Sequence, residues 1–322
     1  MVAPQHQLLV NSALLESGMC ILIPDDQVPR NIHGKPLVGG LFCVAHKKDT
    51  DRLINDRRVL NATELRLNWA RLPHGCLLCQ LLVGEGEHVR GDGDDLSKYF
   101  YKLRHLENWT KRNCFGDKVR GDEYIRYGAQ PGQFYRLAFT VVCMGDLNAV
   151  DIAQEVHHQL LVDAGCLRGG DELVFGTTVP SSLMWDGLYI DDHIIISIGT
   201  NAQLAEYHRY IRSAQYKALT PSSLPSLLDG SVEFSSLDNA FIRARLNLDS
   251  ADHAYKGNGL DKAEDKAFRH EQKFVAWGTE VDDRSGRVGV PLDKRPAIGR
   301  LLFNLIELGH ANLMVMQVFL GY

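Results

Sequence analysis

Two adjacent carboxylates, Asp191 and Asp192, follow one apolar run and precede another within the stretch Trp185–Ser197. Short apolar runs on either side of a polar pair predict a β-hairpin with both acids at its tip, where neighbouring side chains can be presented together. Like charges held close together repel, and a divalent cation bound through oxygen ligands stabilises them. Two-metal phosphoryl transfer uses such an acidic tip together with a third carboxylate from elsewhere in the chain. The alternative is an ordinary polar turn, in which Asp is a common residue.

The composition is that of a folded protein with a sizeable core. The chain has 322 residues, 45% of them hydrophobic and 23% charged, which argues against extensive disorder and predicts one large or two interleaved domains. The formal net charge of −5 counts against nucleic-acid binding, which favours a basic surface. The charge is uneven, however, because residues 101–136 contain eight Lys or Arg and four Asp or Glu. A basic face within an acidic chain is therefore an open alternative.

Seven cysteines are scattered without a framework spacing, which indicates reduced thiols and an intracellular protein, cytoplasmic or nuclear. Cys76 and Cys79 form a lone Cys-x-x-Cys pair near His74, a weak zinc signal because no second pair lies at ligand spacing. The N-terminus lacks the basic and apolar regions of a signal peptide. Polar residues interrupt the apolar stretch Leu301–Leu320, so we expect an amphipathic helix there and no membrane partner.

The hydrophobic patterns predict the elements that would position these residues. Gly91–Asp95 is rich in Gly and Asp and is predicted to be a turn before an apolar, aromatic run. Asp94 is interpreted as a solvated turn acid without a role. The other predicted elements are two strands within 37–60 around a polar turn at 47–51, a strand at 134–144, a helix at 147–161, a helix at 202–219 before a Pro/Ser-rich loop, and a hairpin at 273–290 around 282–286.

Over about residues 35–290, the order of these segments resembles the fingers and palm of a retroelement reverse transcriptase. Tyr189-Ile-Asp-Asp192 is similar to the Tyr-x-Asp-Asp catalytic hairpin of that family. Asp95-Leu-Ser-Lys-Tyr-Phe-Tyr101 is similar to its first acidic motif, in which an aromatic residue lies five positions after the Asp. Four further blocks are similar to the fingers hairpin (Lys47–Asn61), the glycine-led helix ending in Gln (Gly145–Gln154), the lysine motif (Gly259–Lys266) and the primer grip (Phe274–Gly278). Six blocks in the correct order make chance a poor explanation.

The resemblance implies metal-dependent nucleotidyl transfer. A primer 3′-hydroxyl attacks the α-phosphate of a nucleotide in line, and the protein supplies positioning and charge stabilisation. Asp95 and Asp191 are then expected to bridge two Mg²⁺ ions, or Mn²⁺ in their place, with Asp192 as a supporting carboxylate. The backbone carbonyl of Leu96 is expected to complete the metal shell. The expected partners are an RNA or DNA template with its primer and deoxynucleoside triphosphates.

The same resemblance implies contacts with the nucleotide. Lys47 and Arg52 would bind the triphosphate, one as a point charge and the other as a planar donor fork, with the register between Lys47 and Lys48 left open. Phe100 would act as a steric gate that excludes a 2′-hydroxyl and so favours deoxynucleotides. Gly145 would let the backbone approach the nucleotide or the template.

Lys266 would protonate the pyrophosphate leaving group as a general acid, with an exposed helix-end lysine as the alternative interpretation. Core packing is the alternative for Phe100, although Tyr99 and Tyr101 are expected to fill that part of the core. The residues expected to bind primer or template are Tyr189, Gln154, Trp277 and Gly278.

The implied fold class is α+β, a right-hand polymerase with fingers and palm, an antiparallel palm sheet backed by helices, and a thumb that is mostly absent. The implied bounds are an N-terminal extension at 1–34, fingers at 35–90 and 107–145, palm at 91–106 and 146–290 with an insertion at about 200–250, and the start of a thumb or connection at 291–322. No ribonuclease H, integrase or protease pattern follows, so the chain is expected to be a fragment or a degenerate copy.

Two positions depart from the family pattern: Met144 lies where many members have Gln, and Val150 lies where Pro is common. Two alternatives to an RNA-directed DNA polymerase are left open. One is a catalytically inactive relic that at most binds nucleic acid, favoured by the missing thumb and the acidic net charge. The other is a palm polymerase that makes RNA, against which Phe100 argues because a ribonucleotide needs room for its 2′-hydroxyl.

Overall fold

The structure is a computed structural model that describes residues 4–47, 50–231 and 235–310. Contacts within the chain divide it into two compact units, each assembled from three stretches of sequence. Unit 1 comprises Met1–Arg71, Asp95–Leu161 and Ala254–Ala263, and unit 2 comprises Leu72–Asp94, Val162–His253 and Glu264–Tyr322. The mixture of helices and mainly antiparallel strands confirms the predicted α+β class. The bounds of fingers, palm and thumb stay predictions.

The helices and strands have the following bounds. The helices are α1 (Pro4–Glu16), α2 (Arg58–Asn61), α3 (Glu107–Thr110), α4 (Ala149–Asp163), α5 (Asn201–Tyr210), α6 (Ala214–Lys217), α7 (Leu224–Leu228), α8 (Ala240–Gly257) and α9 (Arg295–Leu308). The strands are β1 (Cys20–Pro24), β2 (Gly40–Lys47), β3 (Thr50–Asp56), β4 (Glu87–Asp95), β5 (Cys114–Arg120), β6 (Phe134–Phe139), β7 (Glu172–Leu173), β8 (Met184–Tyr189), β9 (Asp192–Thr200), β10 (Phe268–Glu271), β11 (Lys273–Ala276), β12 (Thr279–Asp282) and β13 (Arg287–Gly289).

An antiparallel sheet in the order β1-β6-β5 forms the centre of unit 1. On its buried face, Leu137 and Phe139 of β6 pack with Phe115 of β5, and the rings of Phe115 and Phe139 stack with their centroids 4.5 Å apart. β2 and β3 form a separate two-stranded hairpin. Helix α4 confirms the predicted helix at 147–161, and β6 confirms the predicted strand at 134–144, although it ends at Phe139.

Five strands in the order β10-β4-β9-β8-β7 form the main sheet of unit 2, in which β7 and β8 are parallel. The central strand β9 is buried on both faces, because the consecutive residues Ile194–Ile196 are all at most 3% exposed. Helix α8 packs on this sheet and places Ala244 and Leu248 in one buried cluster with Met184 and Ile195. The segment predicted as an insertion therefore contributes to the core of unit 2.

The turn predicted at Gly91–Asp95 is wrong, because these residues form the buried second half of β4. Packing, rather than chain reversal, requires the two glycines. A Cβ at Gly91 would overlap with the ring of Phe274, and a Cβ at Gly93 would overlap with the ring of Phe268. Composition alone predicts a turn from Gly and Asp, whereas the rings that select these glycines come from residues far along the chain.

Three other predicted elements have different bounds. The strand predicted to reach Leu60 ends at Asp56, because Arg57 turns inward and pairs with Glu64 and Asp146. The helix predicted at 202–219 is divided into α5 and α6, because the Ser213 side chain accepts a hydrogen bond that begins a new helix. The hairpin predicted at 273–290 is a three-stranded meander, β11-β12-β13.

None of the described helices is both long and apolar enough to cross a membrane. Helix α9 accounts for the first part of the predicted C-terminal amphipathic helix, and residues 311–320 of that prediction lie outside the described residues.

Candidate active site

The predicted hairpin that carries the two acids is present in unit 2. β8 and β9 pair from Met184 opposite Ser197 to Tyr189 opposite Asp192, which leaves Ile190 and Asp191 as a two-residue turn. Ile190 has a φ of +57°, which β-branched residues rarely adopt and which the first central residue of a II′ hairpin turn requires. The Asp191 side chain therefore starts from the tip and that of Asp192 from the first position of β9, and both are only partly buried.

A second turn, between β11 and β12, carries the predicted primer-grip residues. Trp277 and Gly278 have φ values of +48° and +76°, as the two central residues of a type I′ hairpin turn do. The ring centroid of Trp277 lies 6.4 Å from that of Tyr189, and a Cβ on Gly187 would overlap with the Trp277 ring. The structure therefore brings the acidic hairpin and the Trp277–Gly278 turn into one region of unit 2.

Asp95 is the last residue of β4, and the boundary between the two units falls directly before it. In the main sheet β4 is the neighbour of β9, the strand that begins with Asp192. The carbonyl of Asp95 accepts a hydrogen bond from the amide of Ala263 at 2.8 Å. On the other side of Leu96, the amide of Ser97 donates a hydrogen bond to the carbonyl of Asp261 at 2.7 Å. These bonds do not use the carbonyl of Leu96, so its predicted role as a metal ligand is compatible with the local main chain.

The acids of β4 alternate between the two faces of the strand, so Asp92 and Asp94 share one face and Asp95 lies on the other. The interpretation of Asp94 as a solvated turn acid is wrong, because its side chain is buried and pairs with Arg269 at 2.5 Å. Burial raises the pKa of Asp92 to about 6, against the opposing effect of a hydrogen bond donated by the amide of His270. Of the three acids, Asp95 therefore starts from the opposite face of the strand.

A 3-10 turn at Tyr99–Lys102 positions the predicted steric gate in unit 1. Tyr99 is 2% exposed, and its hydroxyl donates to a main-chain carbonyl of α4 at 3.1 Å. The Tyr101 hydroxyl donates to a main-chain carbonyl of β3 at 3.2 Å. The prediction that these two tyrosines fill the core is thereby supported, and Phe100 between them is only partly buried. Its ring is thus held by anchored neighbours while part of it stays accessible.

Gly145, predicted to allow close backbone approach, lies against the end of β3. Its φ is +105°, and a Cβ there would overlap with the carbonyl oxygen of Asn55, so the position requires glycine. The Asn61 side chain donates to the Gly145 carbonyl at 2.8 Å, and Arg57 forms a buried ion pair with the adjacent Asp146. A cavity of about 430 Å³ beside this contact is lined by Phe42, Ile54, Asn55, Asp56, Arg57, Arg58 and Gly145.

The cations predicted to bind the triphosphate belong to the β2–β3 hairpin of unit 1. Arg52 is exposed and lies opposite Val44 in the hairpin register. Lys47 is the last residue of β2 and pairs with Thr50, whereas Lys48, the alternative in that register, lies outside the described residues. Both named cations are thus in the unit that contains Phe100 and Gly145.

Gln154 and Lys266 differ in accessibility. Gln154 is 9% exposed on α4, so a contact with primer or template would need its side chain to reach the surface. Lys266 is exposed and lies two positions before β10. The roles of both residues stay predictions.

No protein-family model matches the sequence, and no curated protein is significantly similar to it. Among solved structures, the chain is similar to foamy viral protease-reverse transcriptase in complex with double-stranded DNA, with a TM-score of 0.54 and 14% identity. This similarity covers 99% of the present chain and 47% of the foamy viral chain. A second structure of the foamy viral protein, designated dRH, gives the same TM-score and identity over 39% of its length.

The chain has a reverse-transcriptase-like fold. An identity of 14% shows the fold alone, and the chain spans less than half the length of the foamy viral proteins. This agrees with the fold class implied by the six sequence blocks. In the reverse-transcriptase-like chain, the predicted site residues divide between the units: the β8–β9 hairpin and the Trp277–Gly278 turn belong to unit 2, and Lys47, Arg52, Phe100 and Gly145 to unit 1.

Within the described ranges, no group of three or more His, Cys, Asp or Glu side chains is arranged to hold a metal ion. The Mg²⁺ ligands therefore stay predictions. The weak zinc signal gains no support either: Cys76 and Cys79 are exposed thiols in a short 3-10 helix, and Nδ1 of His74 accepts a hydrogen bond from the amide of Cys76.

A buried polar network below the acidic hairpin was not predicted from the sequence. The Asp186 carboxylate on β8 lies 2.7 Å from Nε2 of His193 on β9 and accepts from Nδ2 of Asn247 on α8, also at 2.7 Å. The backbone amide of Leu167 donates to it at 2.9 Å. The one sequence signal for this network is an Asp and a His within otherwise apolar strands, three positions before Tyr189 and directly after Asp192.

Proposed function

We infer that this chain is the nucleotidyl-transfer domain of an RNA-directed DNA polymerase, of the kind that retroelements encode. The observation that carries this proposal is the meeting of the Tyr189–Asp192 hairpin with the Trp277–Gly278 turn in unit 2. One turn presents two partly buried acidic residues, and the other places the Trp277 ring 6.4 Å from that of Tyr189, on the same hairpin as the acids. Template-directed polymerisation requires acids that act at the reacting phosphate and, next to them, a support for the primer terminus.

The donor set suits Mg²⁺ or Mn²⁺. Asp95, Asp191 and Asp192 would supply carboxylate oxygens and Leu96 a main-chain carbonyl, and hard divalent cations prefer oxygen ligands of this kind. Asp95 is included because Asp95-Leu-Ser-Lys-Tyr-Phe-Tyr101 is similar to the first acidic motif of the reverse transcriptase family. When bound, Mg²⁺ would lower the pKa of the primer 3′-hydroxyl and neutralise charge on the leaving pyrophosphate.

The remaining residues would bind and select the nucleotide. Arg52 and Lys47 on the β2–β3 hairpin would hold the triphosphate, and Lys266 would donate a proton to pyrophosphate. Phe100, held between two anchored tyrosines, would reject a 2′-hydroxyl, which favours deoxynucleoside triphosphates over ribonucleotides. The template–primer duplex, with RNA or DNA as template, would be supported by Trp277, Gly278 and Tyr189.

The test is primer extension on poly(rA)/oligo(dT) with Mg²⁺ or Mn²⁺, comparing the wild-type chain, Asp191→Asn and Glu85→Gln. The matched control Glu85→Gln also removes one negative charge from unit 2 at an exposed position, so it should extend like the wild type. Asp191→Asn should reduce extension by several orders of magnitude, because a carboxamide cannot replace a charged metal ligand.

Wild-type extension that Asp191→Asn retains would place catalysis elsewhere and overturn the assignment of the hairpin. A wild-type chain that shifts the mobility of a primer–template duplex without extending it under either metal would be a nucleic-acid-binding module of the same fold. Extension with ribonucleotides as efficient as with deoxynucleotides would support an RNA-synthesising polymerase and remove the proposed role of Phe100.

A further inference from the structure

The Asp186 carboxylate is a charged group in the core of unit 2. Its side chain is completely buried, and burial alone would raise its pKa. The neighbouring His193 and the three donated hydrogen bonds outweigh burial, so the pKa of Asp186 is lowered below its ordinary value. An ionised carboxylate only accepts hydrogen bonds, so His193 donates to it through Nε2. A buried carboxylate is tolerated when donors surround it in this way.

The network joins two other parts of unit 2 to the acidic hairpin. Asp186 lies on β8 opposite Ile195, and His193 lies on β9 opposite Leu188, so the two side chains are diagonal neighbours on one face of the hairpin. Asn247 extends the network to helix α8. The amide of Leu167 connects it to the segment after α4, at a residue with a φ of +51°.

The connection to the candidate active site is direct in sequence and in geometry. His193 follows Asp192, and successive strand side chains point to opposite faces, so the buried imidazole and the candidate metal ligand leave the same short stretch of β9 in opposite directions. The turn between the strands has a positive φ at Ile190, a conformation that persists only when the surrounding structure enforces it. Because the network holds His193 in place, it also holds β9 at the point where the side chains of Asp191 and Asp192 leave the main chain.

We propose that Asp186, His193 and Asn247 are positioning residues that hold the main chain of the Asp191–Asp192 hairpin in the conformation from which the two candidate metal ligands project. This inference rests on the proposed function, because it assigns the network to support of the candidate catalytic acids. None of the three touches the reacting atoms. Their effect is transmitted through the main chain of β8 and β9, as groups behind a metal site orient the ligands in front of it.

The experiment compares Asp186→Asn with Ser250→Ala in the full chain. Ser250 is a matched control because it is also buried on α8, and its hydroxyl donates to the carbonyl of Ala164 at 2.6 Å without joining the network. Asp186→Asn should accelerate amide hydrogen exchange at 190–193 and raise the Mg²⁺ concentration needed for half-maximal extension by roughly 10- to 100-fold. It should lower kcat while leaving KM for the primer–template unchanged, and Ser250→Ala should change none of these.

A second pair of variants keeps the test decisive if Asp186→Asn does not fold. His193→Gln keeps a donor towards Asp186 and should retain slow exchange at the hairpin, whereas His193→Phe keeps a ring without a donor and should lose it. Equal exchange in Asp186→Asn and Ser250→Ala, or unchanged exchange at 190–193 in both Asp186→Asn and His193→Phe, would overturn the positioning role. Because hydrogen exchange needs no catalysis, a wild-type chain that fails to extend primers would refute the proposed function and leave this readout intact.

Discussion

Two hairpins carry the charged residues predicted to act on the nucleotide, and the structure supports them in opposite ways. The β8–β9 hairpin lies inside a five-stranded sheet, with a buried carboxylate and helix α8 behind it. The β2–β3 hairpin forms a two-stranded sheet of its own, and Phe42, Cys43 and Val44 along it are exposed. An isolated two-stranded hairpin is marginally stable, whereas interior strands of a larger sheet are supported on both sides.

The difference follows from what each hairpin has to do. Carboxylates that share a metal ion must be placed within a few tenths of an ångström, because coordination distances are short and like charges repel. Cations that hold a triphosphate act through longer side chains and over a longer range, so they need less support from the backbone. The base of the β2–β3 hairpin is nevertheless anchored, through the buried pairs of Arg57 with Glu64 and Asp146.

The largest expected contrast is in the loss of stability when the partner of a carboxylate is removed. His193→Leu leaves Asp186 as a buried charge without its histidine, which should lower the free energy of unfolding by about 3–5 kcal/mol. On the other hairpin, Arg58→Leu removes the partner of Asp56 from an exposed pair and should leave stability nearly unchanged. Urea unfolding of both variants measures the contrast, and similar losses in the two would contradict it.

A second contrast is the direction in which the stability contributed by an aspartate changes with pH. Burial raises the pKa of Asp92 to about 6, above the ordinary value of an aspartate, so the folded state binds more protons between about pH 4 and pH 6. Stability from this group therefore falls as the pH rises through that window, by up to about 3 kcal/mol. The exposed Asp56 has the opposite sign, because Arg58 lowers its pKa, and its small contribution is lost as the pH falls.

Asp92→Asn isolates the first of these effects. The variant should match the wild type near pH 4 and become the more stable of the two by pH 7, because a carboxamide does not ionise in the buried site. Thermal unfolding across the pH range checks this, with Asp56→Asn as the exposed control. A stability difference between Asp92→Asn and the wild type that does not grow with pH would show that Asp92 ionises without cost.

The third contrast compares one glycine in each hairpin. Gly187→Ala would place a methyl group in the ring of Trp277, so it should cost about 1–3 kcal/mol and shift the tryptophan fluorescence. Gly40→Ala would bring its Cβ only to an ordinary 3.5 Å contact with the Cβ of Asp56, and its cost should stay within about 0.5 kcal/mol. A Gly187→Ala protein with unchanged fluorescence would show that the Trp277 turn is not seated on β8.

The smallest effect concerns thiol reactivity rather than stability. Cys43 on the β2–β3 hairpin is exposed and should react with a thiol reagent within the dead time of mixing, together with Cys76 and Cys79. Cys166 is buried against Asn247, and burial raises its pKa well above the ordinary value, so it should react only as unit 2 opens. Cys43→Ser should remove one rapid equivalent, and rapid reaction of Cys166 would contradict the closed packing below the acidic hairpin.

The sequence was sufficient to predict those elements whose signal lies in neighbouring residues. A polar pair between two apolar runs predicts the β8–β9 hairpin without knowledge of any distant residue, and the Trp277–Gly278 turn lies within a similarly short motif. The order of the motifs supplied the fold class, which the likeness to the foamy viral structures supports. Local composition also identified Tyr99 as a core residue and Tyr101 as a partly buried residue that packs against the core, on either side of the partly buried Phe100.

The sequence did not predict features that depend on a contact with a residue far along the chain. Gly91 and Gly93 indicate a turn until Phe268 and Phe274 are known to lie against them, and these rings lie more than 170 positions away (268 − 93 = 175). Asp186 is separated from Asn247 by 61 positions, so no short motif connects them.

The edge strands of the main sheet affect how readily the protein aggregates at high concentration. Consecutive isoleucines with strong β-propensity, such as those of β9, are a recognised aggregation hazard when an unpaired strand exposes them. Here β9 is the middle strand, and the outer positions are held by β7, which is two residues long, and by β10, whose pairing with β4 is interrupted by an irregularity. Short and irregular outer strands give a second molecule little backbone to pair with. The same sheet that supports the acidic hairpin therefore also keeps the isoleucines of β9 away from an exposed edge.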